Sequence, residues 1–147
     1  MALTSTRRRT ATAHAHRDPL LLGVVFVGGA CGTAARALLG DAFPTAAGAW
    51  PWTTFCINVI GAFLLGVLLE GLVRSGEDRG IRRLLRLGVG TGVMGGFTTY
   101  STFMVETTKL SWLPAAGYVV ATVVVGAVAA WLGIRAAKAF VRVGEIA

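Results

Sequence analysis

The chain has 147 residues, of which 54% are hydrophobic and only 14% charged, with a mean hydropathy of +0.68 and a net charge of +7. Soluble domains carry about 25% charged residues, so the composition excludes a water-soluble globular domain. It holds no phosphate-binding loop, no nucleophile–base pair and no metal-ligand cluster, and nothing in it argues for an enzyme.

Residues 1–18 are a basic tail containing "TSTRRRTATAHAHR", read as disordered and cytoplasmic. A secretory signal peptide is the competing reading, with "TAARA" as a faint cleavage site. The apolar run that follows is too long for a signal core, and cleavage would leave only three spans. Four apolar stretches then occupy residues 20–39, 52–73, 84–108 and 112–134. Each is long enough to cross a hydrocarbon core of roughly 30 Å as a helix. The expected architecture is an all-α integral membrane protein, with four transmembrane helices over residues 19–140 and a short C-terminal tail at 141–147.

The first span carries Gly28 and Gly32 four residues apart, Cys31, and Arg36 near its end. Small residues at that spacing let helix backbones approach closely in lipid. The second span carries Thr54 and Asn58, again four apart and so on one helix face, together with Cys56. Both cysteines are expected to be buried, reduced and used only for packing. The third span has Gly88, Gly92 and Gly96 in register and then "GGFTTYSTF" at residues 95–103, its least helical and most polar part. A break at Gly95–Gly96 falls near the bilayer midplane. Broken backbone survives there only when buried in protein or lining a cavity, and its freed carbonyls suit a small hard cation. The fourth span places Tyr118, Thr122 and Gly126 on one stripe, with Ala130 four residues beyond Gly126. Amide and hydroxyl groups in three spans point to a water-accessible track of neutral donors, which suits a small, strongly hydrated anion.

Charge sets the orientation. With four spans, both tails and the loop between the second and third spans share a side that holds twelve Lys and Arg residues, against Lys109 alone opposite. The positive-inside rule puts both termini in the cytoplasm. Trp50, Trp52 and Trp112 then gather at the outer interface and Trp131 near the inner one. The basic character serves topology and anionic lipid and requires no nucleic-acid partner. No carboxylate lies near the centre of a span: Glu70 ends the second and Glu106 nears the end of the third. A small multidrug-type exporter, the alternative four-helix reading, predicts a glutamate within the first span, and residues 20–39 contain none.

"GGFTTYSTF", preceded by "WTTFCINVIGAFLLG" and "GGACGTAARALLG", closely resembles the Fluc/CrcB family of fluoride channels over roughly residues 20–135. The resemblance implies an antiparallel dimer in the cell membrane through which fluoride leaves the cytoplasm, reducing its toxicity, by two pores lined from both subunits. It also implies a structural, non-transported sodium ion at the dimer centre, held by the backbone carbonyls of Gly95 and Thr98. Asn58 and Thr54 would donate hydrogen bonds in the pore. Phe103 would be one of two rings whose positive edges face fluoride. Ser101 and Thr102 lie between the ring positions, Tyr118 and Thr122 would continue the polar track, and Arg36 would hold anions in the vestibule. The plain alternative for Arg36 is an interfacial arginine whose stem snorkels.

Two features depart from the family pattern. The first ring is Tyr100 where phenylalanine is usual, and its hydroxyl would donate to fluoride or narrow the pore. The second is the charge bias, which stays at eight to one without the N-terminal tail and does not suit a homodimer inserted both ways up. The chain is therefore expected to insert in one orientation and pair with a related, oppositely biased chain, and otherwise with itself. A pair with one degenerate pore would tolerate Tyr100 and Gly126. A non-conducting accessory subunit is the third reading.

Overall fold

The computed structural model describes residues 18–144, with backbone only from residue 141, so the expectations for the tails at 1–17 and 145–147 lie outside the described residues. Helix α1 (Pro19–Ala42) begins where the Asp18 carboxylate accepts from the Leu20 N–H at 3.0 Å. Pro19 follows with a pre-set φ and no N–H to leave unpaired. Helix α2 (Trp52–Arg74) starts after Pro51, which is fully buried, and stops at Ser75, whose hydroxyl and N–H both donate to the Gly71 carbonyl. The loop beyond turns through Gly76 (φ 123°) and Gly80 (φ 55°), a region of backbone space that side chains with a Cβ avoid.

The third apolar stretch is a composite. Helix α3 (Ile81–Leu85) passes into a π-helical segment (Arg86–Met94) and then a single turn, α4 (Gly95–Phe97). The chain becomes extended at Thr98 (φ −75°, ψ 156°) and helix resumes as α5 (Ser101–Thr108). Helix α6 (Trp112–Gly144) runs for 33 residues, well past the end of the apolar run at Ile134. At 1.5 Å per residue it is about 50 Å long, more than a bilayer core requires. Helices α1, α2 and α6 are each long and apolar enough to cross a membrane. Phe26, Leu38, Val73 and Trp112 all point outward from them.

Glycine seams join the helices in pairs. A Cβ on Gly28 would strike the Gly88 carbonyl, one on Gly32 the Val93 carbonyl, and one on Gly92 the Val25 carbonyl at 2.8 Å, so α1 lies backbone-to-backbone on the π-helical segment. A second seam joins α2 to α6, where Gly66 meets the Ala130 carbonyl and Gly133 meets the Phe63 carbonyl. Close approach replaces the missing hydrophobic drive for association in lipid.

Three expectations change. The break lies at Thr98–Tyr100, not at the glycine pair: Gly95 and Gly96 are helical. Gly96 is needed as glycine because a Cβ there would meet the Gly29 carbonyl and Thr33 of α1. The hydroxyl residues that follow replace lost backbone bonds, which glycine cannot do. Gly126, expected to pack closely, has nothing within 4 Å of where its Cβ would be. The closest approach on α6 falls instead at Ala130 and Gly133. Cys31 and Cys56 are free and exposed on the chain's surface, not buried.

Candidate functional site

The break frees a set of backbone groups, and each can be followed. Met94 O accepts from both the N–H and the hydroxyl of Thr98, at 3.0 and 2.9 Å, ending the helix with its last carbonyl doubly used. The Thr99 N–H turns away to Asn58 Oδ1 at 2.8 Å, and Asn58 Nδ2 donates to the Thr99 carbonyl at 3.1 Å. Arg36 Nε donates to the Gly96 carbonyl at 3.2 Å. The Thr102 N–H, which a continuous helix would aim at the Thr98 carbonyl, goes to Thr99 Oγ1 at 3.1 Å. The carbonyls of Gly95 and Thr98 accept no hydrogen bond among the described residues. The two carbonyls singled out in the sequence as cation ligands are thus both free.

Thr99 is the hub of the segment. Its hydroxyl lies 3.1 Å from Thr102 Oγ1 and 3.3 Å from Ser101 Oγ, so Ser101 and Thr102 join the same chain of hydroxyls. The rings form a file of tilted and edge-on contacts. Tyr100 and Phe103 have centroids 6.1 Å apart, Phe103 and Tyr118 are 5.0 Å apart, and Tyr118 meets Trp50 edge-on at 5.4 Å. Phe103 and Tyr118 are buried, whereas Tyr100 is 75% exposed in the single chain.

Further along, Thr54 and Tyr118 converge on one carboxylate. Thr54 Oγ1 donates to Glu106 Oε1 at 2.9 Å and the Tyr118 hydroxyl donates to Oε2 at 3.2 Å. Thr122, one turn beyond Tyr118 on α6, has a buried hydroxyl with no partner. A cavity of about 600 Å³ opens onto this cluster, lined by Arg36, Asp41, Thr54, Thr99, Glu106 and Lys109 among others. Two cations and two carboxylates therefore balance around its walls. Arg36 both faces this vestibule and braces the break, and its terminal nitrogens have no hydrogen-bond partner among the described residues.

The structure brings together Thr54, Asn58, Thr102, Phe103 and Tyr118, with Ser101 on the rim. Tyr100 points outward, and Thr122 lies on the same stripe without touching the others through a hydrogen bond. Sequence reasoning missed Thr99 and Glu106. The signal for Glu106 was its position: a carboxylate in the last turn of an apolar helix opposes the helix dipole. A chain that keeps it there has a partner for it.

Comparison with known proteins shows the family. The family model described as "CrcB-like protein, Camphor Resistance (CrcB)" matches residues 23–134. The chain is 53% identical over 133 residues to "Fluoride-specific ion channel FluC 2" of Leifsonia xyli, covering 88% of this chain and 90% of that protein. It is 46% identical over 126 residues to "Fluoride-specific ion channel FluC 1" of Cutibacterium acnes, covering 83% and 88%. It is 43% identical over 119 residues to "Fluoride-specific ion channel FluC" of Geobacter sulfurreducens, covering 78% and 94%. With its three long apolar helices and a broken one between them, the chain is a multi-pass membrane protein that belongs to the CrcB-like family.

Proposed function

We propose that the chain is a subunit of a fluoride-selective channel in the cell membrane, through which fluoride leaves the cytoplasm and its toxicity is limited. The observation that carries this reading is the line of neutral donors from the Asn58–Thr99 clamp past Ser101 and Thr102 to Thr54 and Tyr118. A small hydrated anion gives up water only where O–H and N–H groups replace it. Such a line suits several small anions; the names of the relatives point to fluoride. The hydroxyl hydrogens of Thr54 and Tyr118 can be reoriented about their C–O bonds. They are held by Glu106 at rest and can turn to a passing anion.

A structural sodium ion fits the residues at the break. Backbone carbonyls are hard oxygen ligands, those of Gly95 and Thr98 carry no hydrogen bond, and space is open beside Gly95. Bound there, sodium would take the place of the hydrogen bonds these carbonyls lack. In an antiparallel pair, two carbonyls from each subunit supply four oxygens. The charge bias favours one orientation with both termini cytoplasmic, and so a related, oppositely biased chain as partner, with self-pairing as the alternative. A non-conducting accessory role is favoured by Tyr100, exposed where a pore ring is expected, and by Gly126, which adds no side chain to the track.

Fluoride efflux from liposomes holding the purified chain, read with a fluoride electrode and with chloride as control, tests the reading. Rapid fluoride-selective efflux establishes a working homodimer. Efflux only after an oppositely biased relative is added establishes half a channel. No efflux from folded protein in either case rejects conduction by this chain.

A further inference from the structure

Two buried side-chain polar atoms have no hydrogen-bond partner among the described residues: Trp50 Nε1 and Thr122 Oγ1. Both lie beside Tyr118. Trp50 meets its ring edge-on at 5.4 Å, and Thr122 is one helical turn further along α6. Buried donors in native proteins nearly always have partners. A helical threonine ordinarily bonds back to a carbonyl of the preceding turn. An indole N–H can only donate, so the partner Trp50 lacks has to be an acceptor.

The position of Trp50 is fixed. The fully buried Pro51 follows it, Gly117 leaves space for the six-membered ring against α6, and Trp52 packs on it at 5.8 Å. Its indole nitrogen is turned into the protein, although this tryptophan belongs to an outer interfacial layer, where such N–H groups ordinarily reach water or lipid carbonyls. Its ring packs against that of Tyr118, whose hydroxyl reaches Glu106 on the wall of the cavity.

We infer that the Trp50 indole N–H is a further anion donor, an outer subsite that takes fluoride between the Tyr118–Glu106 pair and the external solution. The inference rests on the fluoride reading above and extends the track beyond its last hydroxyl. A neutral N–H at the outer end can replace one water of a departing anion without the tight hold of a fixed cation.

The test uses the full chain with and without Trp50→Phe, which keeps a ring against Tyr118 and removes only the donor. The chain has four tryptophans, and the indole ¹H–¹⁵N resonance missing from Trp50→Phe identifies Trp50. In the wild-type chain, that resonance is expected to move on titration with sodium fluoride and stay still with sodium chloride. The apparent fluoride affinity of efflux in Trp50→Phe is expected to fall about tenfold, as for loss of one hydrogen bond to a charged ligand. A conducting wild-type chain whose Trp50 resonance ignores fluoride overturns the subsite alone. So does unchanged affinity in Trp50→Phe. A chain that, alone and with an oppositely biased relative added, neither conducts fluoride nor shows any fluoride-dependent resonance overturns the channel reading and the subsite together.

Discussion

Asn58 grips Thr99 by both of its backbone groups, donating from Nδ2 to the carbonyl at 3.1 Å and accepting at Oδ1 from the N–H at 2.8 Å. The amide thus acts as a short piece of sheet edge inside a helical protein, and it supplies the two backbone bonds that Thr99 loses at the break. Because both bonds run to one residue, the amide has a single orientation that satisfies them.

Replacing Asn58 tests that grip. Asn58→Leu leaves a donor and an acceptor unpaired at about 1–3 kcal/mol each, and is expected to lower both thermal stability in detergent and fluoride efflux, the latter by about tenfold or more. Asn58→Asp keeps the acceptor, loses the donor and adds a negative charge beside the proposed anion path. Its efflux is expected to fall further than its stability. Efflux at the wild-type rate in either folded variant would show that the clamp does not shape the path.

The glycine seams predict a sharp contrast among alanine substitutions. Gly32→Ala and Gly96→Ala drive a methyl group into facing backbone and are expected to cost about 1–3 kcal/mol each. Gly126→Ala meets nothing and is expected to stay within about 0.5 kcal/mol of wild type. Thermal unfolding in detergent, monitored by circular dichroism, measures all three. Equal losses at Gly96 and Gly126 would contradict the packing.

Much of this was legible because it rests on spacing. Thr54 with Asn58 and Tyr118 with Thr122 lie four residues apart, so each pair shares a helix face whatever the partners are. The carbonyls of Gly95 and Thr98, named only through the family resemblance, accept no hydrogen bond among the described residues, which leaves their use as cation ligands a proposal. What spacing cannot show is which of two uses a glycine serves. Gly96 looked like a helix breaker and is a contact residue, because that choice is made by Gly29 and Thr33 on another helix. Glu106 was hidden for a similar reason. Read along the chain it ends a span, and only the fold sets it between Thr54 and Tyr118.

That carboxylate makes a third prediction. Glu106→Ala removes the acceptor from two hydroxyls at once, so its cost in stability exceeds that of Tyr118→Phe or Thr54→Val, each of which removes one donor. The effects are also expected to be non-additive: with Glu106 already replaced by alanine, Tyr118→Phe costs less than it does in the wild type, by about 0.5 kcal/mol or more. Unfolding measurements on the two single variants and the double variant complete the cycle. Simple additivity would mean that the bond seen here contributes nothing to the folded state.

In the loop after α2, Asp78 pairs with Arg86 at 2.7 Å, and the hydrogen bonds from Arg86 hold the Asp78 carboxyl below the ordinary value of 3.8. A carboxyl depressed in the folded state contributes stability above its unfolded pKa and loses it as pH falls through the lower folded value. Wild type and Asp78→Asn are therefore expected to differ by a constant small amount from neutral pH down to about 5. Below about pH 5 the difference should shrink as the unfolded carboxyl, with its ordinary value of 3.8, takes up protons first, and it should vanish once the folded one is protonated too. The pair is exposed, so the difference should also diminish with added salt. Thermal unfolding over that pH range at two salt concentrations checks both statements.

The charge bias makes the most consequential prediction. Glu77 lies in the loop after α2, on the side where the basic residues gather, and Thr45 lies in the exposed loop between α1 and α2, on the other. Cys31 and Cys56 are free and exposed, so both are first replaced by serine. Single cysteines are then introduced as Glu77→Cys or Thr45→Cys and treated with a membrane-impermeant maleimide in intact cells. With twelve Lys and Arg residues on one side against one on the other, Thr45→Cys is expected to label from outside and Glu77→Cys only after lysis. An antiparallel pair then requires a second chain of opposite bias, because no copy of this one is inserted the other way up. Equal labelling of both positions in intact cells would show two orientations, and a homodimer would need no further partner.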